Sequence, residues 1–146
     1  MKTISYAITV HNEIDELTKL LNFLQLHIRK EDEIVIQYDD SSVTDEVREY
    51  VTLMDSMHEN HIVVGFPLNK DFATFKNNLK SHCSKDYIFQ VDADEIPHEY
   101  LVEYLGEVLE TNPVDIVFVP RVNTVEGLEQ SHIDKWKWNV NDKGWV

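Results

Sequence analysis

Short apolar runs alternate with amphipathic stretches, and this alternation constrains the fold more than any other feature of the sequence. Five runs have strand length, and apolar residues recur at helical spacing after each of the first four. The runs cover residues 4–10, 33–38, 61–65, 86–91 and 114–119. Because consecutive runs are joined through a helix, the pattern predicts an α/β fold with a mostly parallel sheet and flanking helices.

The length of 146 residues suits a single domain with one hydrophobic core. We expect residues 1–120 to form the α/β core and residues 121–146 a short β or irregular tail, because the alternating pattern weakens after Pro120. The tail holds all three tryptophans, and the spacing of Trp136 and Trp138 predicts a short strand or hairpin. These tryptophans, with Trp145, could close an exposed sheet edge, form a homodimer contact or stack on the face of a sugar.

The net charge of −14 argues against a nucleic-acid partner, which requires a basic surface to displace counterions from phosphate. No apolar run approaches the roughly 20 residues that span a bilayer, so no transmembrane segment is expected. The chain enters a strand-like pattern at once, which predicts no signal peptide. The single Cys83 favours a reducing compartment, and we expect a cytoplasmic protein.

Polar clusters follow three of the predicted strands, and in such sheets ligands bind outside the carboxyl ends of the strands. The clusters cover residues 9–13, 39–42 and 92–95. In the first, Thr9, His11, Asn12 and Glu13 could surround a base or ribose, or form a plain turn with Asn12 capping the next helix. In the second, Asp40 could accept from an imide N–H or ribose hydroxyls, or could cap the second helix.

Asp92 and Asp94 follow the fourth strand two residues apart, and they could reach a common point. Hard cations such as Mg²⁺ and Mn²⁺ prefer such carboxylate oxygens and complete their shell with water and phosphate. The alternative is a solvated acidic loop. Lys76 could approach phosphate as a point charge or lie on a solvated helix face. His132 could be a further metal ligand or a surface histidine.

Motifs of two other nucleotide-binding classes are missing from the sequence. There are only four glycines, and neither G-x-G-x-x-G nor G-x-x-x-x-G-K-[ST] occurs. This counts against a dinucleotide oxidoreductase and against a P-loop NTPase. Because the chain is acidic, an anionic diphosphate would be repelled unless a cation intervened.

Four segments, in order along the chain, resemble the motifs of the family 2 glycosyltransferases, which have the GT-A fold. The first strand ends in His-Asn-Glu at residues 11–13, and residues 34–42 are similar to the family's Val-Val-Asp-Asp-Gly-Ser segment. Residues 72–79 look like its Ala-x-x-Arg-Asn helix start, and residues 86–95 match its D-x-D strand. The resemblance runs from Ile4 to about Val119.

The resemblance implies a role for each matching position. Asp40 would contact the base, expected to be uracil, with Thr9 and His11 lining the nucleoside site. Asp92 would face the ribose or sugar, and Asp94 would be the direct ligand of Mn²⁺ or Mg²⁺. That metal would bridge the two phosphates and stabilise the leaving nucleoside diphosphate. Lys76 stands where the family usually has arginine, which removes bidentate contact with phosphate.

Such enzymes usually continue well beyond this length, and their later part supplies the acceptor site and the general base. Glu126, Glu129 and Asp134 are only positional candidates for that base. We therefore expect a metal-dependent hexosyltransferase that transfers sugar from a UDP-sugar with inversion to an unidentified acceptor, with donor hydrolysis as a side reaction. The alternative is a non-catalytic nucleotide-sugar-binding module that needs a partner chain.

A receiver-like signalling domain is a third reading. Acidic residues at strand ends would suit it, but it needs its acidic pair after the first strand and a lysine after the fifth. Here the pair follows the second strand and Arg121 follows the fifth run, so this reading ranks below the others.

Overall fold

The computed structural model describes residues 1–143, which form four strands and five helices, whereas Trp145 lies outside the described residues. The elements in chain order are β1 Ile4–Val10, α1 Ile14–His27, β2 Glu33–Asp39, α2 Asp45–Met57, β3 His61–Phe66, α3 Phe72–Ser81, β4 Tyr87–Asp92, α4 Glu99–Thr111 and α5 Gln130–Trp136. The chain divides into two compact units, Met1–Pro113 and Val114–Val146. Within the described part, no helix is both long and apolar enough to cross a bilayer.

The four strands form one sheet in the order β3-β2-β1-β4, and every neighbouring pair is parallel. This confirms the predicted α/β fold with a parallel sheet. The two central strands, β1 and β2, are buried along almost their whole length. Their near-continuous apolar sequence follows from cover on both faces of the sheet.

The two faces of the sheet are covered unequally. Alternate residues of a strand point to opposite faces, so Ile4, Tyr6 and Ile8 lie on one side of β1. They pack in the main core with residues of α1, α2 and α4. On the opposite face a much smaller cluster joins Ala7 and Val35 to Leu79 of α3. That thinner, more polar face is the one that carries the candidate site.

A buried carboxylate on this second face holds the loop before β4. Glu33 is 5% exposed and accepts hydrogen bonds from the hydroxyls of Ser5 (2.7 Å) and Ser84 (2.6 Å) and from the Ser84 amide (2.6 Å). Burial alone would raise the pKa of Glu33, but these hydrogen bonds lower it. The Glu33 carboxylate is therefore occupied by structural hydrogen bonds, and we assign it no role in ligand binding.

The prediction of a fifth strand at residues 114–119 is wrong. In the described structure these residues belong to no strand, and Phe118 is 91% exposed. The run has the β-branched composition of a strand. A strand, however, forms only when a neighbour takes up its backbone hydrogen bonds, and composition cannot reveal whether a neighbour is present.

The prediction of a strand or hairpin at the tryptophans is also wrong, because Trp136 is the last residue of helix α5. The Glu129 side chain accepts from the amide of His132, and the His132 ring accepts from the amide of Glu129. The His132 ring also stacks on Trp136, with centroids 5.1 Å apart. Glu129 and His132 are three residues apart, and His132 and Trp136 are four residues apart. Contacts at these spacings favour a helical turn, whereas the two-residue spacing of Trp136 and Trp138 had indicated a strand.

Candidate functional site

The site lies where the carboxyl ends of β1, β2 and β4 meet, since these strands are parallel neighbours. Thr9 is next to last in β1, and Asp92 is the last residue of β4. The two residues are direct partners in the β1–β4 register. Asp40 follows β2, and Lys76 comes from α3 above the second face of the sheet.

Lys76, Thr9 and Asp92 form a closed triangle of hydrogen bonds. The Lys76 ammonium donates to Thr9 Oγ1 at 3.0 Å and to Asp92 Oδ1 at 3.2 Å. The Thr9 hydroxyl also donates to Asp92 Oδ1, at 3.1 Å. The structure thus brings together three of the residues that the sequence selected separately, and places a positive charge at the strand ends of an acidic chain.

The helix that carries Lys76, α3, begins with a capped turn. The Asp71 carboxylate caps the helix by accepting from the Thr74 amide at 3.0 Å and the Thr74 hydroxyl at 2.7 Å. These hydrogen bonds lower the pKa of Asp71. Just before the cap, Asn69 and Lys70 have left-handed backbone angles, with φ of 48° and 61°. This turn leads the chain from β3 into a helix whose second turn carries Lys76.

Asp92 and Asp94 lie in a tight turn that follows β4. The Glu95 amide donates to the Asp92 carbonyl at 3.0 Å, and the Asp92 amide donates to the Glu95 carboxylate at 3.1 Å. Asp92 is half-exposed, and its Oδ1 already receives Lys76 and Thr9. Asp94 is exposed and has no hydrogen bond or ion pair with any other described residue. Asp94 is therefore the carboxylate more available to a ligand.

These two carboxylates fit a divalent cation that arrives with a phosphate ligand. No three His, Cys, Asp or Glu side chains within residues 1–143 are grouped so that they could enclose an ion by themselves. Mg²⁺ commonly binds through one or two carboxylates and fills its shell with water and substrate phosphate. The donor set thus suits a shared metal–diphosphate site and does not suit a resident structural ion.

The first loop is organised by Glu13. Its carboxylate accepts from the backbone amides of His11 at 2.8 Å and Asn12 at 3.1 Å, so these amides are already bonded in this structure. The predicted cap of α1 by Asn12 is wrong: Glu13 occupies the N-cap position, and Asn12 Oδ1 accepts from the Thr44 amide at 3.1 Å. Asn12 instead ties the β1 loop to the start of α2, because α2 begins directly after Thr44.

Asp39 is a residue that the sequence reasoning did not single out. It is 9% exposed and accepts from the hydroxyls of Ser41 (2.6 Å) and Ser42 (2.7 Å) and from the amides of Leu68 (3.1 Å) and Ser41 (3.2 Å). Hydrogen bonds, led by that of the Ser41 hydroxyl, hold the pKa of Asp39 far below its usual range although burial opposes this. The signal in the sequence was the position of Asp39 at a strand end, directly before Asp40, Ser41 and Ser42.

The adjacent Asp40 differs from Asp39 in its exposure. Asp40 is exposed, and its carboxylate has no partner among the residues that the structure describes. His11 contacts the same loop, with its Nε2 2.8 Å from the Ser42 hydroxyl. The Asn12 side-chain amide nitrogen lies 3.4 Å from the same Nε2, so the direction of the His11–Ser42 hydrogen bond depends on which ring nitrogen carries the proton.

The remaining predicted residues lie in the second unit. The Nδ1 of His132 accepts a hydrogen bond from the Glu129 amide, which leaves only Nε2 for a ligand. Among the base candidates, Glu126, Glu129 and Asp134 are all exposed, and Asp134 accepts from Gln130 at 2.8 Å. The roles of these four residues stay predictions.

Comparison with known proteins agrees with the fold. Residues 5–143 match the family described as glycosyl transferase family 2. The structure is similar to the crystal structure of S. aureus TarS 1–349, with a TM-score of 0.66 and 18% sequence identity. That likeness covers 83% of this chain and 39% of TarS 1–349, so the chain spans about two fifths of that structure. A search of curated proteins gave no match.

The TarS likeness supports the GT-A arrangement of four parallel strands with flanking helices. The family match covers nearly all of the described residues, and it includes every site residue named above. The chain therefore belongs to the family 2 glycosyltransferases.

Proposed function

We propose that this chain binds a nucleotide-diphospho-sugar, with UDP-sugar as the donor, together with Mn²⁺ or Mg²⁺, and that it transfers the sugar with inversion. The observation that carries the proposal is the triangle of Lys76, Thr9 and Asp92 beside the exposed carboxylate of Asp94. It combines one positive charge with two carboxylates at the strand ends where ligands bind in such sheets.

Each residue has a task in this proposal. Asp94, with Asp92, would hold the cation, and the cation would neutralise charge on the diphosphate as the nucleoside diphosphate leaves. The Lys76 ammonium donates to a phosphate oxygen. Asp40 accepts from the imide N–H of uracil, with Thr9 and His11 lining the nucleoside site. The acceptor hydroxyl attacks the sugar from the side opposite the diphosphate and gives its proton to a general base. The bond from the sugar carbon to the diphosphate oxygen breaks, which gives inversion.

A thermal-shift experiment tests donor binding. UDP, GDP and CDP are each added with and without Mn²⁺, and a nucleotide at 100 times its dissociation constant should stabilise the protein by about 2.7 kcal/mol. We expect UDP with Mn²⁺ to give the largest shift. If none of the three nucleotides changes the melting temperature, donor binding by this chain is rejected.

The second candidate is a non-catalytic nucleotide-sugar-binding module that needs a partner chain. The described contacts favour it, because they join only donor-side residues, Lys76, Thr9 and Asp92. Release of UDP from common UDP-sugars in the presence of Mn²⁺ separates the two candidates. A glycosyltransferase produces free UDP from the UDP-sugar, by transfer or by slow hydrolysis. A binding module binds the nucleotide with the metal but produces no free UDP.

A further inference from the structure

Gln37 is a fully buried amide in the middle of the sheet. It lies in β2 on the face covered by α3, and its exposure is 0%. An amide buried without partners costs several kcal/mol, so such a residue normally has every polar atom bonded. Here Nε2 donates to the Phe75 carbonyl at 2.7 Å, and Oε1 accepts from the Asn78 side chain at 2.8 Å. Both polar atoms of the side chain are thus bonded to α3.

The two partners lie on either side of Lys76 in the sequence. Phe75 precedes Lys76 directly, and Asn78 follows two residues later. Apolar contacts of Leu79 with Ala7 and Val35 already attach α3 to the sheet. Such contacts are non-directional, whereas hydrogen bonds of 2.7 and 2.8 Å determine how far the helix is rotated about its axis.

Gln37 also lies beside the residues that Lys76 contacts. In the register of the sheet, Thr9 pairs with Gln37 on one side and with Asp92 on the other. Paired residues of neighbouring strands point to the same face. Gln37, Thr9 and Asp92 therefore form one lateral row under α3, in which Gln37 holds the helix and the other two receive its ammonium group.

We propose that Gln37 and Asn78 are positioning residues for Lys76. Their hydrogen bonds set the rotation of α3 so that the ammonium of Lys76 meets Thr9 and Asp92 and faces the diphosphate. The last part rests on the proposed function, whereas the position of Lys76 does not. An apolar side chain at position 37 would leave the helix attached but free to rotate by the small angle that removes Lys76 from the triangle.

Binding measurements with Gln37→Leu test the proposal, since leucine keeps much of the volume and removes the amide. We expect the dissociation constant of UDP with Mn²⁺, measured by calorimetry, to rise on the order of tenfold, which is the loss of one charge-assisted contact. Binding of uridine, which has no diphosphate, should not change. In a Lys76→Met background, Gln37→Leu should have no further effect on UDP.

A second measurement needs no nucleotide. Acylation of each lysine is followed by mass spectrometry, with Lys30, 90% exposed, as the internal reference for Lys76, which is 28% exposed. In Gln37→Leu, Lys76 should react at a rate approaching that of Lys30, while the other lysines keep their wild-type rates. If Gln37→Leu does not fold, Asn78→Ala removes one of the two bonds and serves in both measurements. Asn22→Ala, an exposed amide of α1, is the matched control.

The outcomes are distinct. Unchanged UDP affinity and unchanged Lys76 reactivity in both variants would overturn the positioning role and leave the proposed function intact. If the wild-type chain binds no nucleotide, the proposed function fails together with the diphosphate role. The acylation rates then decide the rest: faster reaction of Lys76 supports its positioning by Gln37, and no change overturns it.

Discussion

The ammonium of Lys76 lies 3.2 Å from Oδ1 of Asp92, and the side chains are 28% and 50% exposed. An ion pair with this exposure contributes at most about 1 kcal/mol to stability. Its importance is that it fixes a positive charge against Asp92, two residues before the exposed Asp94. The pair therefore adds little to folding, and it places a cation at the proposed donor site.

Replacing Lys76 with methionine should separate diphosphate binding from folding. We expect UDP affinity in the presence of Mn²⁺ to fall by about tenfold or more, because one charge-assisted bond to phosphate is lost. The free energy of unfolding should change by less than about 1 kcal/mol, as for a partly exposed ion pair. Calorimetric titration and urea denaturation measure the two quantities. Equal UDP affinity in both proteins would exclude a phosphate contact by Lys76.

Asp94→Asn should remove the effect of metal on nucleotide binding and leave the fold intact. The exposed Asp94 carboxylate has no partner among the described residues, so its loss should not change the melting temperature of the free protein. The additional thermal shift that Mn²⁺ gives with UDP should disappear. Glu107→Gln, which removes an exposed carboxylate from α4, is the charge-matched control and should retain that shift. A full Mn²⁺ effect in Asp94→Asn would mean that another group holds the ion.

Asp39 and Asp40 are adjacent but should respond differently to replacement. Asp39→Asn replaces a carboxylate that accepts four hydrogen bonds, and we expect a loss of about 2–4 kcal/mol in unfolding free energy. Asp40→Asn should keep wild-type stability and weaken UDP binding. Denaturation and nucleotide titration of both variants measure this contrast. A stable Asp39→Asn protein would show that its hydrogen bonds do not hold the loop.

His61 should make the protein sensitive to mild acid. It is 5% exposed, its Nε2 has no hydrogen-bond partner in the described structure, and burial lowers the pKa of His61 to about 4. The unfolded chain binds a proton near pH 6.5, so stability is complete above that pH and is lost as the pH falls towards 4.

We expect His61 to account for a loss of about 2 kcal/mol in unfolding free energy between pH 7 and pH 5. Urea denaturation at the two pH values should show this loss in the wild-type protein and a smaller one in His61→Phe. His82→Gln, at an exposed histidine, should lose as much as the wild type. If His61→Phe has the wild-type pH dependence, the acid sensitivity originates elsewhere.

The tryptophan-bearing tail should contribute to self-association. Trp136 is 49% exposed, and its ring lies 5.0 Å from that of Trp138. An exposed aromatic pair of this kind is typical of a protein contact. We expect a dimer in sedimentation experiments and a shift to monomer in Trp136→Ala. If the wild-type protein stays monomeric at high concentration, the dimer contact is excluded, and stacking on a sugar becomes the preferred interpretation of these tryptophans.

The sequence predicted the parts of the fold that repeat a period. The strands β1 to β4 are short apolar runs and the four helices α1 to α4 carry a 3.6-residue pattern, and all were found near their predicted positions. The run at 114–119 has the same composition, but whether it forms a strand depends on a neighbour that the pattern cannot show. Composition thus predicts which segments can become strands, but it does not predict which of them join the sheet.

The sequence predicted which strand ends carry the candidate site, but it did not predict the contacts between the side chains there. The motifs placed Thr9, Asp40, Lys76 and Asp92 near one edge, and the triangle joining three of them depends on register and on the rotation of α3. Asp39 was overlooked because its role consists of bonds to residues that only the folded loop brings near. Gln37 was overlooked because a glutamine in a strand looks the same whether it is solvated or buried.

The lateral row of Gln37, Thr9 and Asp92 implies which changes in chain length the protein tolerates. Extra residues in the loops between elements leave the pairing of β1 with β2 and β4 untouched. One extra residue inside β1 would shift the following positions by half a pleat period and turn Thr9 to the opposite face. Insertions between elements should therefore preserve the row, whereas a single insertion within the central strand should abolish it.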